Sequence, residues 1–183
     1  IDLLLKFEFC FPGVASASSS SSSSFSPDSI HESSYVFPCL LPHRSTHHYW
    51  SSRVAHPVIG RRWQCADPHV WFPPSFFTTV QLRLQKLWPA EAELSRGFIY
   101  FRATPSTIGI VWYDFSRHAL DAVCSGPDAI ATMERVFELV EVVLYSFEGF
   151  RVDHNDEKEE KDPVNRLAIC PECLASGSSE RAE

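Results

Sequence analysis

The sequence predicts an α+β fold, in which a small, mixed but mostly antiparallel sheet is backed by two amphipathic helices. Residues 73–88 and 127–148 repeat apolar side chains at helical spacing. Several shorter segments are instead rich in the aromatic and β-branched residues typical of strands. Hydrophobic residues make up 44% of the 183-residue chain, which is enough to build a core and unlike the composition of a disordered protein.

The N-terminal part of the chain alternates between apolar and polar segments. Residues 3–11 are mainly apolar, and a serine-rich tract follows at residues 14–34. Because this tract has too little apolar surface to offset the entropy of ordering it, we expect a disordered loop. Residues 35–42 are typical of a short strand interrupted by proline, as at a sheet edge. Residues 43–57 then form a basic, histidine-containing loop in this interpretation.

The first predicted helix covers residues 73–88 and follows a predicted strand at residues 58–66. That strand places Trp63 and Cys65 on one face. Prolines suit the first turn of a helix, because that turn does not use the missing N–H. The apolar stripe of the helix consists of Phe76, Phe77, Val80, Leu84 and Leu87. Pro89 ends the helix.

A hairpin, a third strand and a longer helix are predicted after a polar connection. Residues 97–102 and 107–114 carry aromatic and β-branched side chains on either side of a Thr-Pro-Ser turn, which indicates a hairpin. Residues 119–126 alternate and should form the next strand. The longest helix is predicted at residues 127–148, where a continuous apolar stripe precedes Gly149.

The C-terminal region contains the one ligand-like spacing in the chain. After an acidic stretch at residues 153–162 and a short predicted strand at residues 167–170, Cys170 and Cys173 form a Cys-Pro-Glu-Cys motif. A structural zinc site needs four ligands, usually two such pairs, and a second pair is missing. We therefore assign no metal ligand and keep a zinc-binding adaptor using Cys170 and Cys173 as the alternative function. Residues 175–183 are predicted to be a polar tail.

Charge and motifs argue against several classes of protein. The net charge of −7 disfavours nucleic-acid binding, although the basic stretch at residues 43–62 keeps it as a further alternative. No phosphate-binding glycine loop, Gly-x-Ser-x-Gly elbow or His-Glu-x-x-His pattern occurs, so we predict no catalytic or cofactor-binding residue and no cofactor. No apolar run reaches the length of about 18 residues that spans a membrane. The spacing of the six cysteines favours reduced thiols in a cytoplasmic protein.

An ordered series of segments extends over most of residues 3–174. It consists of Leu4-Leu5-Lys6-Phe7-Glu8-Phe9-Cys10-Phe11, Tyr35-Val36-Phe37-Pro38-Cys39-Leu40-Leu41-Pro42, Phe72-Pro73-Pro74-Ser75-Phe76-Phe77, Gln81-Leu82-Arg83-Leu84, Arg96-Gly97, a strand ending in Gly126, the long helix, and Ile169-Cys170-Pro171-Glu172-Cys173-Leu174. In this order the segments resemble the COR domain of Roco proteins, the module that follows the Roc GTPase domain.

The resemblance implies a division of the chain and a set of partners. Residues 1–57 would correspond to the end of the winged-helix-like first half of COR, with residues 14–34 as an insertion, and residues 58–174 to the second half. In that family, COR contacts the Roc domain and a second COR, which couples guanine-nucleotide turnover to oligomeric state. The resemblance therefore implies a Roc-type GTPase domain of the same chain and a homodimer. The parent proteins often carry leucine-rich repeats, and some carry a kinase.

We thus expect a non-catalytic scaffold and dimerisation module in intracellular signal transduction, without nucleic acid or a membrane span. The apolar content is large for one small sheet. The aromatic strands or an exposed part of the helix at residues 127–148 are therefore expected to supply the self-association surface. The interface candidates are Phe76, Phe77, Tyr100, Trp112 and Phe137.

Overall fold

A computed structural model describes residues 10–12, 35–42, 57–89, 92–150 and 162–169 of the chain. The helices and strands within these ranges are β1 (Phe11–Pro12), β2 (Tyr35–Val36), β3 (Val58–Cys65), α1 (Pro74–Leu87), β4 (Ala92–Ser95), β5 (Phe98–Thr104), β6 (Thr107–Asp114), β7 (Ala119–Ser125), α2 (Ala129–Leu144) and β8 (Val164–Ile169). Short 3₁₀ turns lie at Pro38–Leu40 and Glu148–Phe150. Neither α1 nor α2, the α-helices within the described ranges, is long and apolar enough to cross a membrane.

Six strands form one sheet in the order β4-β5-β6-β7-β3-β8. The strands β4 to β7 follow one another as hairpins, whereas β3 lies between β7 and β8 and pairs with both. Its central residue Trp63 stands opposite Leu120 on one side and Arg166 on the other. Every pairing among the described strands is antiparallel, so the mixed sheet predicted above is an antiparallel one here. The strands β1 and β2 form a separate two-residue ladder.

The two helices cover one face of this sheet, which confirms the α+β architecture. Helix α1 starts at Pro74, with Pro73 in the N-cap position, as expected for prolines at a helix start. Its apolar stripe is buried except for Leu87, which is 39% exposed, and α2 buries the matching stripe that contains Val136, Val140 and Val143. The core between helices and sheet consists mainly of Trp63, Cys65, Phe72, Phe76, Val80, Leu84, Trp88, Ile99, Phe101, Val111, Leu120, Cys124, Val136, Val140, Val143 and Leu144.

The end of α1 is held against the sheet by a stack of aromatic rings. The Trp88 ring lies parallel to the Phe101 ring, with centroids 4.3 Å apart and an interplanar angle of 8°. On the neighbouring strand, Gly109 stands opposite Phe101. A Cβ atom at Gly109 would lie 2.2 Å from the Phe101 ring, so only glycine leaves room for the ring.

Alternate residues of β5 and β6 form a second apolar cluster on the face of the sheet opposite the helices. Phe98, Tyr100, Ile108 and Ile110 are buried there, and Trp112 packs against them. This alternation is the period-2 pattern of strands that bury both faces.

The boundaries of the helices and of the main sheet agree closely with the sequence-based predictions, with two corrections. The strand predicted at residues 35–42 is limited to Tyr35–Val36, and a 3₁₀ turn follows it at Pro38–Leu40. The helices predicted at residues 73–88 and 127–148 occupy Pro74–Leu87 and Ala129–Leu144, and the predicted hairpin and third strand are confirmed. The connection predicted between Pro89 and the hairpin was wrong, because it contains strand β4. Ala92 and Leu94 pair with core residues of β5, and Glu93 lies between them. In a segment of four residues, this apolar-polar alternation is too short to be recognised as a strand. The serine-rich tract and the polar tail lie outside the described residues.

Candidate interaction site

Large apolar side chains that remain exposed identify two candidate interaction surfaces. Within the described residues they are Leu40, Val70, Trp71, Leu87, Phe115, Ile130, Val142, Tyr145 and Leu167. Trp71 and Phe115 line a groove, and Leu40 and Val70 are chain neighbours of residues that line it. Ile130, Val142 and Tyr145 belong to α2 or its C-cap. Exposed apolar groups of this kind are typical of binding surfaces when they occur together.

The first surface, here called the aromatic groove, has a volume of about 380 Å³. Its rings belong to Trp71, Phe72, Phe77, Tyr113, Phe115 and His118. The remaining lining side chains among the described residues are Cys39, Pro73, Thr78 and Arg96. The groove therefore combines the 3₁₀ turn after β2, the segment that enters α1, the turn after β4 and the turn between β6 and β7.

A turn and two prolines set the position of Trp71. The Asp67 carboxylate accepts a hydrogen bond from the His69 N–H at 2.8 Å, and the Asp67 carbonyl accepts one from the Val70 N–H at 3.1 Å. The chain then enters Pro73, and proline restricts Phe72, the residue between it and Trp71, to extended conformations. Trp71 is thus presented at the surface, 61% exposed, while the neighbouring Phe72 is buried in the core.

The turn between β6 and β7 places His118 and Phe115 on the opposite wall. The Asp114 carboxylate accepts hydrogen bonds from the Ser116 N–H at 2.9 Å, the Ser116 hydroxyl at 2.6 Å and the Arg117 N–H at 3.2 Å. Burial opposes ionisation of Asp114, but these hydrogen bonds outweigh it and hold the carboxyl pKa below its ordinary value. His118 ends the turn with φ of 51°, a left-handed conformation that few non-glycine residues adopt.

Ring contacts tie the two walls together. The Trp71 indole stacks on the His118 imidazole, with centroids 4.4 Å apart and planes at 14°. Phe115 contacts Tyr113 edge to face at 4.9 Å, and Tyr113 stacks on Phe77 at 6.0 Å. Burial raises the pKa of Tyr113, so its hydroxyl stays neutral at physiological pH. The groove walls are therefore flat ring surfaces supported by the core.

Among the described lining residues, the permanently charged side chain is that of Arg96. Arg96 is exposed in the turn that connects β4 and β5. Its backbone N–H donates to the Pro42 carbonyl at 3.3 Å, which fixes the turn against the segment after β2. None of the described lining residues carries a carboxylate. The arrangement suits a ligand that presents apolar surface together with negative charge.

The second surface lies along α2. Ile130 and Val142 are 58% and 60% exposed there. A groove of about 400 Å³ lies between α2 and strands β3 and β8. It is lined by Arg61, Met133, Glu134, Phe137, Glu138 and Arg166. Acidic and basic side chains thus alternate with apolar ones along this face.

A polar network anchors α2 to the sheet beneath this groove. The Glu141 carboxylate accepts hydrogen bonds from the Trp63 indole at 2.8 Å and from two guanidinium nitrogens of Arg166, each at 2.8 Å. Arg166 also pairs with Asp162 and donates to the Tyr145 hydroxyl. The hydrogen bonds to Glu141 raise the pKa of Arg166, so the guanidinium remains charged. The charged groups of this network are paired with each other, so we assign the network a role in holding α2 on the sheet.

The interface candidates taken from the sequence lie in different environments. Phe76 and Tyr100 are buried in the two clusters on opposite faces of the sheet, and Phe77 forms part of the groove floor at 7% exposure. Trp112 and Phe137 are partly buried, and Phe137 lines the groove beside α2.

Two residues that the sequence interpretation did not single out, Trp71 and Phe115, carry the most exposed rings among the described residues. Their signals in the sequence are an aromatic residue two positions before consecutive prolines and an aromatic residue inside an Asp-x-Ser turn.

The described residues contain no group of three or more His, Cys, Asp and Glu side chains suited to a metal ion. Cys170 and Cys173, the low-probability zinc ligands, lie outside the described ranges. Cys10, Cys39, Cys65 and Cys124 are free thiols. No protein-family model matches this chain, and no curated protein matches it.

Proposed function

We propose that this chain is part of a non-catalytic scaffold module that self-associates, similar in role to the COR domain it resembles. The observation that carries the proposal is the exposure of Ile130 and Val142 on α2, a helix whose opposite side is buried in the core. Apolar anchors at the centre of an interface contribute roughly 1.5–3 kcal/mol each when a second copy buries them fully. Protein interfaces concentrate their binding energy in a few such anchors.

The charges around these anchors are compatible with a symmetric contact. Glu134, Arg135 and Glu138 are exposed on the same helix, so both signs of charge are present on one face. In a two-fold dimer the same patch occurs on both subunits, and residue i of one contacts residue j of the other. Two antiparallel copies of α2 can therefore place opposite charges near each other around the apolar anchors.

We further propose that the parent protein is a cytoplasmic signalling protein with a Roc-type GTPase domain in the same chain. The support is the ordered series of segments that resembles COR, together with free cysteines and a strand-and-helix arrangement suited to an interaction module. A coding region on the N-terminal side that specifies a Walker-type phosphate loop would support this assignment. An unrelated domain at that place would contradict it.

Light scattering on the full chain tests self-association. We expect a dimer whose fraction rises with protein concentration. The double variant Ile130→Glu/Val142→Glu should be monomeric, because it places charges at the centre of the contact. The matched control is Leu87→Glu, which changes an apolar residue 39% exposed on α1 and should leave the dimer intact. A monomeric wild-type chain at high concentration, or a dimeric double variant, would rule out the proposal; circular dichroism checks that each variant is folded.

A further inference from the structure

We propose that the aromatic groove binds an extended, proline-containing peptide of a partner protein, with an acidic side chain next to the prolines. This inference goes beyond self-association, because it concerns a surface separate from Ile130 and Val142. A monomeric chain that binds the peptide would contradict only the self-association proposal.

The first argument is the shape and chemistry of the walls. Trp71 and Phe115 expose 61% and 53% of their surfaces, and the partly buried rings of His118 and Tyr113 contact them from behind. Flat aromatic walls of this kind are how proteins bind polyproline II segments, whose rings pack into the spaces between aromatic side chains. Such a segment is already extended and stiff before it binds, so binding costs little conformational entropy.

The second argument is the supply of hydrogen-bonding groups. A proline residue brings an apolar ring without a backbone N–H, so docking it buries no unpaired donor. Its carbonyl still needs a donor, and the exposed Trp71 indole carries an N–H that only donates. The neutral hydroxyls of Tyr113 and Thr78 also lie on the lining. The described walls thus suit carbonyl groups and apolar rings better than a peptide rich in N–H donors.

The third argument is charge complementarity. Arg96 is exposed on the lining, and none of the described lining residues is acidic. A carboxylate accepts two parallel hydrogen bonds from a guanidinium, which makes arginine the preferred partner of an acidic side chain. An acidic residue beside the prolines therefore meets Arg96, whereas a basic residue at that position is repelled.

The walls of the aromatic groove are rigidly supported, which is consistent with peptide binding. His118 is held in a left-handed conformation by the turn that Asp114 organises, and its ring supports the Trp71 indole from one side. Conformations of this kind cost free energy and persist where the surrounding structure holds them, often at binding sites. The orientation of the Trp71 ring is therefore set before a ligand arrives.

Calorimetry on the full chain with synthetic peptides tests the inference. The probe is a blocked polyproline peptide with one central glutamate. The two control peptides carry lysine in place of the glutamate, or alanine in place of the prolines. We expect saturable binding of the first peptide and weaker binding of both controls. No saturable binding of the first peptide, or equal binding of the lysine control, would overturn the inference.

Variants of the chain locate the binding. Trp71→Ala and Phe115→Ser should each weaken binding by about tenfold or more, as expected for central anchors. Arg96→Gln should keep the preference for proline and remove the preference for glutamate over lysine. Ile130→Ala, on the other surface, should bind like the wild type. Bound peptide should also slow the reaction of Cys39 with a maleimide, since Cys39 lines the groove. Unchanged affinity in both folded Trp71 and Phe115 variants would exclude the groove.

Discussion

Arg62 and Asp121 stand opposite each other on β3 and β7 and form a bidentate, hydrogen-bonded ion pair. The distance from Nε to Oδ1 is 2.6 Å, and the distance from Nη2 to Oδ2 is 2.7 Å. Asp121 is 1% exposed, and the Arg62 side chain is 12% exposed. The hydrogen bond to Asp121 raises the pKa of Arg62, so the guanidinium stays charged. Because a slip of one residue would separate the pair, it also specifies how β3 aligns with β7.

Removing one partner of this pair should be strongly destabilising. Asp121→Ala leaves the Arg62 charge largely buried without its carboxylate, which costs about 3–5 kcal/mol of the free energy of unfolding. Urea denaturation measures the loss. The double variant Arg62→Met/Asp121→Leu should recover most of it, because apolar side chains of similar size need no partner.

The matched control is the less buried pair of Arg117 and Asp114, whose charged atoms lie 3.8 Å apart and whose side chains are 37% and 25% exposed. Arg117→Ala should change the free energy of unfolding by less than about 1 kcal/mol. Equal effects of Asp121→Ala and Arg117→Ala would contradict the structural importance of the buried pair.

A methyl group at Gly109 should disturb the ring stack of Trp88 and Phe101. The added Cβ would lie 2.2 Å from the Phe101 ring, which cannot retreat because Trp88 packs on it at 4.3 Å. We expect Gly109→Ala to lower the free energy of unfolding by about 1–3 kcal/mol, the usual cost of overpacking. Chemical denaturation followed by tryptophan fluorescence gives this value.

Gly149→Ala is the control for this prediction, because a Cβ there meets no atom within 4 Å. It should leave stability close to that of the wild type. Gly109→Ala/Phe101→Leu should recover part of the loss by removing the ring. A fully stable Gly109→Ala variant would show that the sheet relaxes around the methyl group.

The described thiols should differ in reactivity. Cys39 is exposed, whereas burial raises the pKa of Cys65 to about 11 and that of Cys124 to about 12. Since only the thiolate reacts, less than about one in a hundred Cys65 groups is reactive at pH 8. We expect N-ethylmaleimide to modify Cys39 first, and Cys65 and Cys124 only after unfolding. Peptide mapping by mass spectrometry assigns each site; early modification of Cys124 would contradict its burial.

The turn that supports the aromatic groove should weaken in acid. The pKa of Asp114 is lower in the folded chain than its ordinary value. Its ionised form therefore stabilises the fold above the unfolded value of about 3.9, and this contribution disappears as pH falls through the folded value. The difference in unfolding free energy between wild type and Asp114→Asn should shrink from pH 6 to below pH 3. Ser116→Ala removes the hydroxyl that donates to the Asp114 carboxylate, so it should reduce the pH-dependent part of the unfolding free energy.

The features that depend on local pattern could be predicted from the sequence. The apolar stripes of α1 and α2 and the hairpin of β5 and β6 are set by neighbours a few residues apart, so periodicity was enough. The placement of β3 between β7 and β8 depends on pairings between distant residues, such as Trp63 with Leu120 and Arg166. Nothing in the local pattern encodes such partners.

The aromatic groove was missed for the same reason. Its walls combine Cys39, Trp71, Arg96 and Phe115 from four separate segments. Each of these residues is unremarkable in its own stretch of sequence, and only the fold brings them together. The sequence could indicate that the chain has more apolar residues than one core needs, but not which of them are exposed.

The position of β3 in the sheet has a consequence for synthesis of the chain. Strands β4, β5 and β6 pair with their immediate successors, so β4 to β7 can assemble as each leaves the ribosome. Strand β3 is made before all of them, yet one of its edges has to wait for β8, nearly the last part of the described chain to be translated. Until β8 is made, that edge of β3 exposes unpaired backbone N–H and C=O groups, and nascent chains in this state often need chaperones.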